Sequence, residues 1–146
     1  MNMVQVYIKG QEDKELSSFL RYYPVRIKNI GMDAFFDRQV IYDFKDGRNH
    51  ADVAKCVAKM LIKVVGERTA VHGTKVKKDE RAKRLKENNN IEVDANFFKN
   101  KIVCIWDDVV TTGTSFCAYT AQLEQVGAHV TNGIFLGKTS YKYVQQ

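Results

Sequence analysis

The sequence predicts one α/β domain with a central, mostly parallel sheet flanked by helices. Three observations carry this. The run "KIVCIW" at residues 101–106 is apolar without alternation, as strands buried on both faces are. A helical pattern follows over Phe116, Tyr119, Leu123 and Val126, and Gly127 stands where a helix ends. A second strand pattern, "HVTNGIFLG" at residues 129–137, comes next. Strand, helix and strand in succession is the signature of a parallel sheet. The chain has 146 residues, enough for a single domain with its own core.

The other elements follow in chain order. Val4 to Ile8 alternates weakly and is expected to be a strand. Glu12 to Tyr22 carries helical spacing at Leu16, Phe19, Leu20 and Tyr23. "VIYDFKDGRNH" then leads into a helix with an apolar stripe at Ala54, Val57, Ala58, Leu61, Ile62 and Val65, ended by Gly66. "RTAV" is a short strand candidate, "HGTK" a loop, and "VKKDERAKRLKENNN" an exposed charged helix.

The formal charge of +6 suits a polyanionic partner or a plain soluble surface. The basic run "KVKKDERAKRLK" includes Asp79 and Glu80 and lacks interleaved aromatics, so a solvated helix is preferred over a nucleic-acid face. No run of ~18 apolar residues exists, so no membrane span is expected. The first residues lack a secretory apolar segment, and a cytoplasmic protein is expected. Cys56, Cys104 and Cys117 are odd in number and widely spaced, which predicts reduced, buried thiols. His50 and His129 lack metal-ligand spacing, and His72 is a lone loop histidine. "GKTS" at Gly137 is not a nucleotide P-loop, because the required first glycine falls on Asn132. Lys45 and Arg48 flank Gly47 as a phosphate contact or a charged turn.

The chemistry concentrates in "DDVVTTGTS", Asp107 to Ser115. Ligands of parallel α/β sheets bind beyond the carboxyl ends of the strands, where the two acids stand. The loop from Val110 to Ser115 opens the next helix, whose first N–H groups and dipole favour an anion. Thr111, Thr112, Thr114 and Ser115 add hydroxyls, and Gly113 allows close backbone approach. This is a phosphate cradle. Ionised Asp107 and Asp108 only accept hydrogen bonds, so they need sugar hydroxyls or the water shell of Mg²⁺. A ribose 5-phosphate unit meets both demands.

These nine residues resemble the 5-phosphoribosyl 1-pyrophosphate (PRPP) signature of type I phosphoribosyltransferases. "IYDFKDGR" and "VHGTKVKKDER" resemble segments of the family's ComF-like branch, although Val71, His72 and Gly73 depart from its pyrophosphate loop. The resemblance spans residues 40–138. It implies a type I phosphoribosyltransferase (Rossmann-like) fold in a single domain, residues 1–146, with 41–138 as core and 1–40 as a reduced hood or edge. It implies a Mg²⁺-dependent enzyme that moves a phosphoribosyl group from PRPP to a nitrogen acceptor and releases pyrophosphate. Asp107 and Asp108 would serve the ribose hydroxyls and Mg²⁺, through water. Residues Val110, Thr111, Thr112, Gly113, Thr114 and Ser115 would hold the 5-phosphate. Gly73, Thr74, Lys75, Lys77 and Arg81 would hold pyrophosphate, and Val109 would lie near the base. Thr111 stands where the 6-oxopurine enzymes carry an acid, which argues against hypoxanthine or guanine as acceptor. The alternatives on the same fold are a non-catalytic PRPP-binding regulator and an accessory protein for DNA uptake. A homodimer is a further implication of the resemblance.

Overall fold

The computed structural model describes residues 3–65 and 93–143. The expected Gly66 helix end, the "RTAV" strand, His72, the pyrophosphate-loop residues Gly73, Thr74 and Lys75, and the basic helix with Lys77 and Arg81 lie outside the described residues.

The elements in order are β1 (Val4–Gln5), β2 (Glu15–Tyr22), α1 (Met32–Lys45), α2 (His50–Val65), α3 (Ala95–Phe98), β3 (Ile102–Val110), α4 (Thr114–Gln125) and β4 (His129–Thr139). Among the described residues the strands form one mixed sheet in the order β1-β2-β4-β3. β1 pairs antiparallel with β2, while β2, β4 and β3 run parallel. β3, α4 and β4 form the expected strand–helix–strand unit.

Helices cover both faces of the sheet, and the two cores differ in composition. On the α4 face, Leu16, Ile105, Val130 and Phe135 of the sheet pack with Phe116 and Leu123 of α4. On the other face, Phe19, Ile134 and Leu136 pack with Ile41 of α1 and Val57 of α2, and Trp106 joins them. Alternate residues of β4 thus feed opposite cores, which is why its sequence reads as a continuous apolar run.

The helix expected from Glu12 to Tyr22 is instead strand β2. Leu16 enters one core and Phe19 the other. A strand covered on both faces places apolar residues at almost any spacing, and here the spacing imitates a helical stripe. α1, by contrast, carries a thin signal: only Ala34 and Ile41 are fully buried, among Asp33, Asp37, Arg38 and Asp43. Helix α2 forms as expected, but its face is turned. Val53, Val57, Met60 and Leu61 meet the sheet, while Ala54 and Ala58 are exposed and Ile62 is 57% exposed. The sheet takes the stripe with the larger side chains, which gains more apolar burial for the same contact.

The turned face also corrects the cysteines. Cys56 on α2 is exposed, whereas Cys104 and Cys117 are half-buried; all three are free thiols. Burial pushes the Cys104 thiol up to about 11, which keeps it protonated near neutral pH. Arg48 pairs with Asp43 at 3.0 Å and Asp46 at 3.1 Å, so "KDGR" is a charged turn. "GKT" lies within β4, in strand conformation. No helix among the described residues is long and apolar enough to cross a membrane.

Candidate functional site

The carboxyl ends of β2, β4 and β3 share one rim. Tyr22 pairs in register with Thr139, and Lys138 pairs with Val110. The residues singled out by chemistry stand at the β3 corner of this rim. β3 continues through both acids to Val110, longer than "KIVCIW" alone. Thr111 and Thr112 then turn the chain, and α4 starts at Thr114.

Gly113 makes this turn possible. It is the N-cap of α4, with φ of +88°, in the left-handed region that glycine tolerates best. Its missing side chain matters as well. A Cβ there would lie 2.7 Å from Ile8 Cδ1 and Cγ2. Ile8 is buried and belongs to the α4-side core, so the N-terminal segment packs directly beneath the loop. That segment is held to α4 a second time. Lys14, whose side chain is 4% exposed, pairs with Glu124 of α4 at 3.2 Å.

The start of α4 has no side-chain cap hydrogen bond. Its first intrahelical bond runs from the Cys117 N–H to the Gly113 carbonyl at 2.9 Å. The N–H groups of Thr114, Ser115 and Phe116 precede that bond and can face an anion. Thr112 and Thr114 hydroxyls are 2.9 Å apart at the same end.

A pocket of about 140 Å³ opens here. It is lined by Asp107, Val109, the loop Val110 to Ser115, and by Phe116 and Phe135. Drug-sized ligands need roughly 300 Å³ or more. The pocket therefore suits one phosphate-sized group, and the rest of a larger ligand would lie along the rim. Asp107 lines the pocket and Asp108 does not. Successive strand side chains point to opposite faces, which separates the two carboxylates. Both are tied to the backbone: Asp107 Oδ1 accepts from the Asp108 N–H at 2.8 Å, and Asp108 Oδ1 accepts from the Val109 N–H at 2.7 Å. These bonds orient the two acids, and a carboxylate offers about four acceptor sites in all.

The back wall of the loop is pinned to β4. Thr111 Oγ1 and Thr139 Oγ1 are 2.8 Å apart. The Lys138 ammonium donates to the Thr111 carbonyl at 2.9 Å and to the Thr139 carbonyl at 3.2 Å. Burial holds the Lys138 pKa below the ordinary lysine value. The sequence pattern did not single out Lys138, Phe116 or Phe135 as site residues. The phenylalanines read as core, and they are core: their rings meet edge to face at 5.8 Å and floor the pocket with their outer surfaces. The lysine stood inside "GKTS", whose only motif meaning was excluded.

Among the described residues, no group of three or more His, Cys, Asp or Glu side chains could hold a metal ion. A single carboxylate on the pocket wall, that of Asp107, still suits Mg²⁺, which keeps most of its water and binds through one or two carboxylates plus substrate phosphates. Comparison of the chain with protein-family models, curated proteins and solved structures gives no match. The chemistry of the site carries the functional conclusion.

Proposed function

We propose that this protein is a Mg²⁺-dependent phosphoribosyltransferase on a type I phosphoribosyltransferase fold. The observation that carries the proposal is the phosphate-sized pocket over an uncapped helix start, with an acid on its wall, at the carboxyl end of a parallel strand. The 5-phosphate of PRPP would take the N–H groups and hydroxyls of the loop. Asp107 would accept from a ribose hydroxyl at the mouth. Pinning the phosphate and the sugar fixes C1 before the acceptor, which is where most of the rate gain of such a site would arise.

In the transfer, an acceptor nitrogen bonds to C1 as the C1–O bond to pyrophosphate breaks. Pyrophosphate leaves with the bonding electrons, and the acceptor nitrogen gives up a proton. Asp107 and Asp108 would hold Mg²⁺ through its waters, together with the donor's phosphates. The ion would neutralise charge on the leaving pyrophosphate.

The position of Asp108 favours a second proposal, a protein that binds PRPP without turnover. Its carboxylate lies outside the pocket and bonds the backbone. A pyrophosphate-release assay with PRPP, Mg²⁺ and a panel of nitrogen acceptors decides between them. Release with one acceptor supports transfer. Tight PRPP binding with no release across the panel supports a sensor.

A further inference from the structure

Helix α1 carries two apolar stripes, and the larger one faces water. The sheet takes Ala34 and Ile41, both fully buried. On the other side Met32, Phe35, Phe36 and Val40 are 68%, 48%, 58% and 39% exposed. Their spacing, i, i+3, i+4 and i+8, puts them on one face of the helix. Helix α2 turns its larger side chains to the sheet, whereas α1 turns them away. Burial within this fold therefore does not account for the outer stripe of α1. Its four side chains expose on the order of 400 Å², within the range of the largest apolar patches on monomers, which are often functional.

The charge along the edge of this patch identifies what covers it. Asp33 and Asp37 stand four residues apart and line one side of the stripe. Tyr143 donates to Asp33 Oδ1 at 3.1 Å. Among the described residues no ion pair joins either acid to a cation. Burial, with Asp33 nearby, raises the Asp37 pKa above the ordinary carboxylate value, and a cation beside it would oppose that shift. The whole chain carries a charge of +6, so an acid-edged apolar patch is a local exception that draws a cationic partner. Size separates the occupants. A stable dimer interface buries about 800 Å² on each partner, roughly twice this patch. An amphipathic helix instead docks through a few apolar anchors at helical spacing. In an antiparallel two-fold pair of α1 helices the acidic edges would adjoin, and an anionic lipid surface would meet the acids with like charge.

We propose that the exposed face of α1 docks an amphipathic helix of another protein, one that carries an apolar stripe with Lys or Arg four residues apart along its edge. The surface lies on the sheet face opposite α4 and is independent of the ligand of the β3–α4 loop.

A phage-displayed library of helix-forming random peptides, panned on the wild-type protein with counter-selection on Phe36→Ser, tests this. Enriched peptides should carry apolar residues at helical spacing with Lys or Arg on one flank. A selected peptide, made synthetically, should bind Phe36→Ser at least about tenfold more weakly than wild type. The Asp33→Asn, Asp37→Asn double variant should weaken binding about two- to fivefold and flatten its salt dependence. Thermal melts establish folding, and if Phe36→Ser does not fold, Met32→Ser takes its place under the same criterion. Absence of any peptide that survives counter-selection overturns the docking surface, and so do selected peptides with acidic flanks. A wild-type dimer in sedimentation that Phe36→Ser dissociates overturns it in favour of a second copy. Binding to phosphatidylglycerol vesicles that Phe36→Ser abolishes overturns it in favour of a lipid surface.

Discussion

The Ile8 side chain fills the space where a side chain at Gly113 would begin, 2.7 Å from the position of its Cβ. The N-terminal segment therefore shapes the loop that the chemistry needs. Gly113→Ala meets two costs, the left-handed backbone and the clash with Ile8. It should destabilise the fold by about 1–3 kcal/mol and remove phosphate binding. Ile8→Ala in the same chain relieves the clash but not the backbone strain. A urea double-mutant cycle should show favourable coupling between the two substitutions. Simple additivity would mean that Ile8 does not constrain the loop.

The two acids should not be equivalent. Asp107 lines the pocket and Asp108 stands outside it. Asp107→Asn should weaken Mg²⁺-dependent PRPP binding by about tenfold or more, since hydrogen bonds to charged groups contribute about 1.5–3 kcal/mol. Asp108→Asn should weaken it less. Calorimetry on the single variants checks the order, and the reverse order would contradict the placement of Asp107.

Thr111→Val should loosen the loop from β4. The substitution removes the partner of the Thr139 hydroxyl, and Thr139 is a buried residue. A loss of about 1–3 kcal/mol is expected for a buried hydroxyl left unsatisfied. Replacing both residues by valine should cost less than the single change. Chemical denaturation of the three proteins measures this directly.

Much of the site was legible because its residues are contiguous. Asp107 to Ser115 announce a strand end, a turn and a helix start in nine letters, and eight of them need only local backbone geometry to converge. Lys138 and Ile8 were not legible. They reach the site through strand order and packing, which one sequence does not display. β2 was misread for a related reason. Burial on both faces erased the period that separates strand from helix, and its pairing with β4 is a contact between residues far apart in the chain. α2 was legible as a helix because its pattern is dense, yet Ala54 and Ala58 fitted the predicted stripe as well as larger residues did. Only the sheet decides which side faces in.

Lys14 predicts a pH dependence of stability. Burial pushes its pKa down, but hydrogen bonds and charge from Glu124 and Asp13 outweigh this, and the net shift is upward from the ordinary lysine value. A raised lysine pKa adds stability that is fully present below the unfolded value, near 10.4. That stability is lost as pH rises through the higher folded value. Thermal melts from pH 9 upward should show wild type losing stability more steeply than Lys14→Met. Parallel curves would mean that the Lys14–Glu124 pair does not hold the N-terminal segment to α4.

The proposed function requires that the β3–α4 loop bind the phosphate of a phosphorylated ribose. The most direct measurement is calorimetric titration of the wild-type protein with PRPP, with and without Mg²⁺, beside the Asp107→Asn, Asp108→Asn double variant. Mg²⁺-dependent binding is expected, and the double variant should lose it while remaining folded. No heat from folded wild-type protein at millimolar PRPP, or equal binding by the double variant, would contradict it.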